Sequence, residues 1–104
     1  MIRAIELPRK ISLYCKPVDM RMGQVGLLGV IRQETKQSPQ VDVVYLFCNR
    51  SHSLIKGIFW DRTGYIVFSK RLEAGRYHLP TNKEQASLDA KSLRLFLDGL
   101  RIFL

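Results

Sequence analysis

Val43–Gly75, VVYLFCNRSHSLIKGIFWDRTGYIVFSKRLEAG, is the stretch that decides the fold. Val43 to Cys48 is an unbroken apolar run, the pattern of a central strand buried on both faces. Asn49 to Ser53 is a polar turn. Leu54 to Trp60 and Tyr65 to Lys70 follow as two further strands, rich in β-branched and aromatic residues. Between them stands Asp61-Arg62-Thr63-Gly64, whose leading aspartate and closing glycine suit a type I turn with the glycine in the left-handed conformation. Three strands so close in sequence predict an antiparallel meander. Cations mark both hairpin ends and the exit of the last strand, which makes a small sheet with a cationic rim. Such a rim favours binding of an anion or polyanion over catalysis.

Upstream, Ile11 to Cys15 is short, β-branched and aromatic, and predicts an N-terminal strand. Pro17 and Asp19 break it. Asp19 is placed to cap a helix starting at Met20, because its carboxylate accepts hydrogen bonds from the free amides of a first turn. Met20, Leu27, Val30 and Ile31 recur at helical spacing, so the helix is predicted through about Thr35. Gly23, Gly26 and Gly29 form a side-chain-free strip within that pattern, and packing on the domain's own sheet is the plain explanation for it. Downstream, Gly75 to Ala86 carries Pro80 and Asn82 and is predicted irregular. A second helix is expected from about Asp89, with Leu93, Phe96, Leu97 and Leu100 on its apolar face and Gly99 at its end. The expected fold is therefore α+β: a small antiparallel sheet, made of a three-strand meander plus an N-terminal strand, packed by two helices.

The chain has 104 residues, enough for one domain and one core, so residues 1–104 are taken as a single unit. Seventeen Lys and Arg against nine Asp and Glu give a net charge of +8. A balance of that sign attracts nucleic acid or anionic surfaces whatever the fold. The basic residues are spread along the chain rather than gathered in a tail, which favours an acidic partner over mere solubility. Cys15 and Cys48 are the two cysteines. They lack C-x-x-C spacing, and a small secreted domain would carry more bridges, so a reducing, cytoplasmic location is expected. A single Cys15–Cys48 disulfide stays open. The start of the chain does not have the form of a signal peptide, and no apolar run is long enough to cross a bilayer.

The residues offer no catalytic centre. A metal-dependent nuclease needs carboxylates converging on hard cations. Here the acids are scattered singly, with Asp19 and Asp89 as helix caps and Asp61 as a turn residue. Neither His52 nor His78 has a partner at zinc-ligand spacing. Cys48 and His52 suggest a dyad, but the serines around His52 are ordinary turn residues and Cys48 closes a buried strand. No catalytic residue, metal ligand or cofactor is assigned. The basic set Arg50, Lys56, Arg62, Lys70, Arg71 and Arg76 is interleaved with Phe59, Trp60, Tyr65, Phe68 and Tyr77. Arginines beside aromatics pair with phosphates and stack on bases, although a domain this small needs most of its aromatics for the core.

Several motifs then point together to a family. Asp19-Met20-Arg21-Met22-Gly23, with Gly26-Leu27, resembles a D-M-R-K-G-x-x-G-L signature. Leu46-Phe47, Asn49-Arg50, Ile55-Lys56 and Trp60-Asp61 follow L-F-x-F-x-x-R-x-x-x-x-I-K-x-L-x-W-D in outline. Lys70-Arg71-Leu72-Glu73-Ala74-Gly75-Arg76-Tyr77 is similar to K-R-L-E-x-G-R-F, and Leu88 to Gly99 to L-T-x-x-x-L-x-x-L-L-x-G. Met22 stands where lysine is usual, and Asn49-Arg50-Ser51-His52 replaces a turn richer in arginine and glycine. Over nearly its whole length the chain resembles the TnpB-type accessory protein of the insertion-sequence sixty-six class of bacterial mobile elements.

That resemblance implies a non-catalytic helper encoded beside a separate transposase. The expected partners are that transposase and DNA, with no membrane. Arg21, Arg50, Lys56, Lys70, Arg71 and Arg76 are the candidate contacts to phosphate or to an acidic surface. Arg21 and Arg76 are the sharpest, because they sit in matching motifs. The competing expectation for each is a local ion pair, for example between Arg71 and Glu73. The alternative function is a protein-interaction module that docks on the transposase through the glycine strip and the apolar C-terminus, with little DNA affinity.

Overall fold

The computed structural model describes residues 8, 10–14, 16–76 and 85–88. Five strands and one helix are present among them: β1 (Lys10–Tyr14), α1 (Gln24–Thr35), β2 (Val43–Cys48), β3 (Leu54–Asp61), β4 (Gly64–Arg71) and β5 (Gln85–Leu88). They form one sheet in the order β4-β3-β2-β1-β5. β2, β3 and β4 pair antiparallel in succession, with Tyr45 opposite Ile58 and Phe59 opposite Ile66. β1 runs parallel to β2, with Ile11 opposite Val44, and β5 runs antiparallel to β1.

The class is α+β, but the sheet is mixed rather than antiparallel throughout. Parallel neighbours need a crossover of a dozen residues or more, and α1 with its flanking loops supplies it. The strand β5 falls partly in the stretch expected to be irregular. Its residues, Gln-Ala-Ser-Leu, have little intrinsic strand preference. The expected helix from Asp89 lies outside the described residues, as does Cys15.

The sheet has two faces because side chains alternate along each strand. Val43, Tyr45, Phe47 and Ile58 face α1, where they pack with the buried Leu27, Leu28 and Ile31. Ile11, Leu13, Val44, Leu46, Cys48, Ile55 and Phe59 form a second buried cluster on the opposite face. Every residue of β2 is buried, as its unbroken apolar run predicts. Each large apolar side chain so buried contributes about 1.5–3 kcal/mol. Gly57 makes room on the second face: a Cβ there would collide with the ring of Phe68 and lie 3.0 Å from Leu46 Cδ2. The Phe68 ring in turn meets Phe59 edge-on, with centroids 6.2 Å apart.

α1 starts at Gln24, not at Met20. Asp19 closes a tight turn instead, its carbonyl accepting from the Met22 amide at 3.1 Å. Its carboxylate accepts from the backbone and side chain of Arg21, so it has no helix amide to cap. Gly23, at the N-cap, is extended and offers no capping side chain. The glycine strip is likewise broken. Met22 lies over Gly26, while nothing approaches Gly23 or Gly29.

The β3–β4 turn also differs from expectation. Asp61 pairs with Gly64, leaving a two-residue loop of Arg62 and Thr63. Gly64 is then the first residue of β4 and lies in the ladder. The left-handed residue is Arg62, with φ 52°. A positive φ at the first loop residue is the sign pattern of a II′ hairpin, whose twist matches the strands. Among the described residues no helix is long and apolar enough to cross a membrane.

Candidate nucleic-acid interface

Strand direction decides where the cations gather. β1 and β2 run the same way, so Tyr14 and Cys48 finish at the same end of the sheet. β3 starts at that end and β4 finishes there, with Leu54 opposite Arg71. Lys16, Arg21, Arg50, Lys70, Arg71 and Arg76 therefore belong to one end of the sheet, together with Asp19 and Glu73. All six cations are exposed. Arg62 belongs to the other end, with Lys10, Lys36, Asp42 and Asp61. Cations thus stand at both ends, as the hairpin pattern in the sequence suggests, with more of the described ones at the end that carries Arg50.

The β2–β3 loop holds Arg50 on a firm support. Asn49 organises it: Oδ1 accepts from the amides of Ser53 at 2.9 Å and Leu54 at 3.1 Å. Its Nδ2 donates to the hydroxyls of Ser51 and Ser53. His52, at φ 58°, donates its amide to the Asn49 carbonyl at 3.1 Å. The end of β4 is tied to the same loop, because the Leu72 amide donates to the Ser53 carbonyl at 2.8 Å. The end of β4 that carries Lys70 and Arg71 is thus held to the loop that carries Arg50. Lys70 and Arg71 point to opposite faces, since they are consecutive strand residues.

Arg21 and Lys56 each hold a partner within the protein. Arg21 forms a fork on Asp19, with Nη2–Oδ2 at 2.6 Å and Nε–Oδ1 at 3.0 Å. Those bonds from Arg21 hold the Asp19 carboxyl down at about 2, from an ordinary 3.8, and raise Arg21. The Arg21 side chain nevertheless stays 91% exposed, so the outer edge of its guanidinium is open to solvent.

Lys56 differs more. It lies two residues into β3 on the α1 face, and its ammonium donates to the carbonyls of Met20 at 2.9 Å and Met22 at 2.6 Å. The segment before α1 is not helical, so those carbonyls lack a ladder of their own, and Lys56 satisfies them. Its charge ties a loop to the sheet rather than facing outward. Lys16 is the cation that sequence reasoning missed. It joins the cluster because β1 is parallel to β2, and no local pattern announces that pairing.

Chemically, this end can hold an extended anion through point charges and arginine forks. Cys48 is buried inside the apolar cluster, away from solvent. The hollow between α1 and the sheet, lined by Ser12, Tyr14, Glu34 and Thr35 among others, has about 10 Å³ of interior. That is room for about one water molecule, not a nucleotide. Among the described residues, no group of three or more His, Cys, Asp or Glu side chains could hold a metal ion.

Comparison with known proteins agrees with the sequence motifs. Two proteins of Sinorhizobium fredii, y4jC and y4hO, both described as uncharacterized, are similar to the chain. y4jC is 27% identical over 92 residues, covering 88% of this chain and 79% of y4jC. y4hO is 32% identical over 83 residues, covering 79% of this chain and 72% of y4hO. No solved structure matches. The family model described as IS66 Orf2 like protein matches residues 9–103, and the chain belongs to that family.

Proposed function

We propose that this protein is a non-catalytic accessory factor of insertion-sequence transposition, acting in the cytoplasm, which helps the element's separate transposase engage DNA through the cationic end of its sheet. The supporting observation is the exposed set Lys16, Arg21, Arg50, Lys70, Arg71 and Arg76 at that end, where Asp19 and Glu73 are the acids among the described residues. Arg50, Lys70, Arg71 and Arg76 supply the phosphate contacts, with Arg21 contributing its outer edge. Lys56 supports the surface from beneath. A bound duplex releases counterions, so each phosphate contact adds about 0.9 to the slope of log affinity against log salt.

The test is fluorescence anisotropy of labelled duplex DNA titrated with the protein across a salt series. Steep salt dependence is the expected result. Replacing both Arg71 and Arg76 by alanine should lower the slope by about 2, with the far-UV circular dichroism unchanged. Absence of binding at low salt overturns the DNA reading, and makes an acidic surface of the transposase the direct target.

A further inference from the structure

Among the described residues β4 ends the sheet, and no strand pairs with its outer edge. The Leu72 amide donates inward to Ser53, which sets the alternation along the strand. Residues 64, 66, 68 and 70 turn their backbone groups toward β3, and Tyr65, Val67, Ser69 and Arg71 turn theirs outward. The close edge-on contact of Trp60 with Tyr65, at 5.1 Å, fits this phase, because side chains approach most closely at pairs that exchange no hydrogen bonds. Ser69 and Arg71 are exposed, and Val67 is 36% exposed. An open strand of eight residues is a template for another strand. Native sheets blunt such edges with proline, a bulge, charged side chains, a short strand or a covering helix or loop. Tyr65–Ser69 carries no proline and no charge, the charges Lys70 and Arg71 standing at the end of the strand.

We propose that this edge is a dimer interface, on which β4 of a second copy pairs antiparallel about a two-fold axis beside Phe68. Outward-facing residues must oppose outward-facing residues. The register that pairs all four outward-facing residues then sets Tyr65 against the partner's Arg71, and Val67 against the partner's Ser69. Lys70 falls opposite the partner's Ile66. No like charges meet, and each arginine lies across from an aromatic ring, a favourable cross-strand pair. All outward amides and carbonyls of Tyr65, Val67, Ser69 and Arg71 are satisfied in this register. The two five-stranded sheets become one continuous sheet.

The pairing also carries Arg62 of each copy toward Arg71 of the other, about 10 Å along the strand at three residues' rise. Each end of the joined edge then presents cations from both copies. The inference stands apart from the DNA reading, since it rests on backbone geometry rather than on charge.

Sedimentation velocity on the full chain tests it, from about 1 µM to about 500 µM, the span in which modest interfaces populate. The mass should rise from 12.1 kDa toward twice that value. Val67→Pro removes an outward amide without touching the β3 ladder, and Val67→Lys sets a charge at the centre of the edge. Both variants should stay monomeric with the wild-type circular dichroism spectrum. Should Val67→Pro disturb the sheet, Val67→Lys decides. Amide hydrogen exchange gives a second readout: Tyr65, Val67, Ser69 and Arg71 should gain protection as concentration rises, while Ile66 and Phe68 are protected throughout. A wild-type chain that remains monomeric over the whole series, or a folded variant that dimerises as well as the wild type, overturns the proposal.

Discussion

Replacing Lys56 by methionine separates support from contact. Methionine keeps most of the stem against the sheet and deletes the ammonium, so the bonds to Met20 and Met22 are lost together. Hydrogen bonds with one charged partner contribute about 1.5–3 kcal/mol each. The two share one donor group, and the site is only part-buried, so water can take over some of the carbonyl demand. The loss should therefore be about 2–3 kcal/mol in total, below the sum of two independent bonds. For a chain of this size that lowers the melting temperature by about 10–20 °C. Urea unfolding measures the stability, and DNA anisotropy across salt measures the phosphate count. The expected outcome is a large stability loss with an unchanged salt slope at temperatures where the variant is folded. A variant as stable as the wild type, with a slope lower by about 0.9, would show that the ammonium faces DNA and would refute the assignment.

Other substitutions probe the rest of the surface and the sheet. Asp19→Asn should free Arg21 and tighten DNA binding. Because the folded Asp19 carboxyl sits at about 2, below its ordinary 3.8, its pairing is complete above the ordinary range and is lost only as pH falls through about 2. The affinity difference between this variant and the wild type should accordingly stay constant from about pH 5 to about pH 8, and a drift across that range would contradict the pairing. Gly57→Ala should destabilise by about 1–3 kcal/mol, since its methyl must displace the Phe68 ring from Phe59; thermal melting reads this, and an unchanged midpoint would mean the ring swings clear freely. Arg62→Gly relieves a left-handed arginine and should stabilise by up to about 1 kcal/mol without changing DNA affinity, as Arg62 lies at the far end of the sheet; weaker DNA binding would extend the interface to that end.

The sequence made some of this architecture plain and concealed the rest for physical reasons. β2 is legible because burial on both faces demands apolar residues at every position, and Val43–Cys48 supplies them. The β3–β4 hairpin is legible because its turn chemistry is local, although the residue that takes the left-handed conformation is Arg62 and not Gly64. The start of α1 misled because Asp19 has a nearer donor in Arg21 than in any helix amide. The parallel pairing of β1 with β2 has no local signature, since it is fixed by packing between distant segments. β5 is four residues long and has no β-branched or aromatic residue, so little in its sequence marks a strand. Of the site, the arginines of the β2–β3 loop and the β4 exit were visible. Their company with Lys16 and the inward task of Lys56 depend on long-range geometry.

The placement of β1 bears on how the chain reaches this state. β3 and β4 close over at most 17 positions, from Leu54 to Arg71. Ile11 must instead find Val44, 33 positions away, and Leu88, 77 positions away. Closing the β1–β2 loop of 33 rather than 17 residues costs about 0.6 kcal/mol more in chain entropy, before any contact is gained. The hairpins should therefore form first and β1 should dock late. Until it does, β2 is a bare edge, and VVYLFC is the most apolar strand of the sheet. The interval before β1 arrives is when this chain is most exposed to aggregation, and slower docking of β1 lengthens that interval.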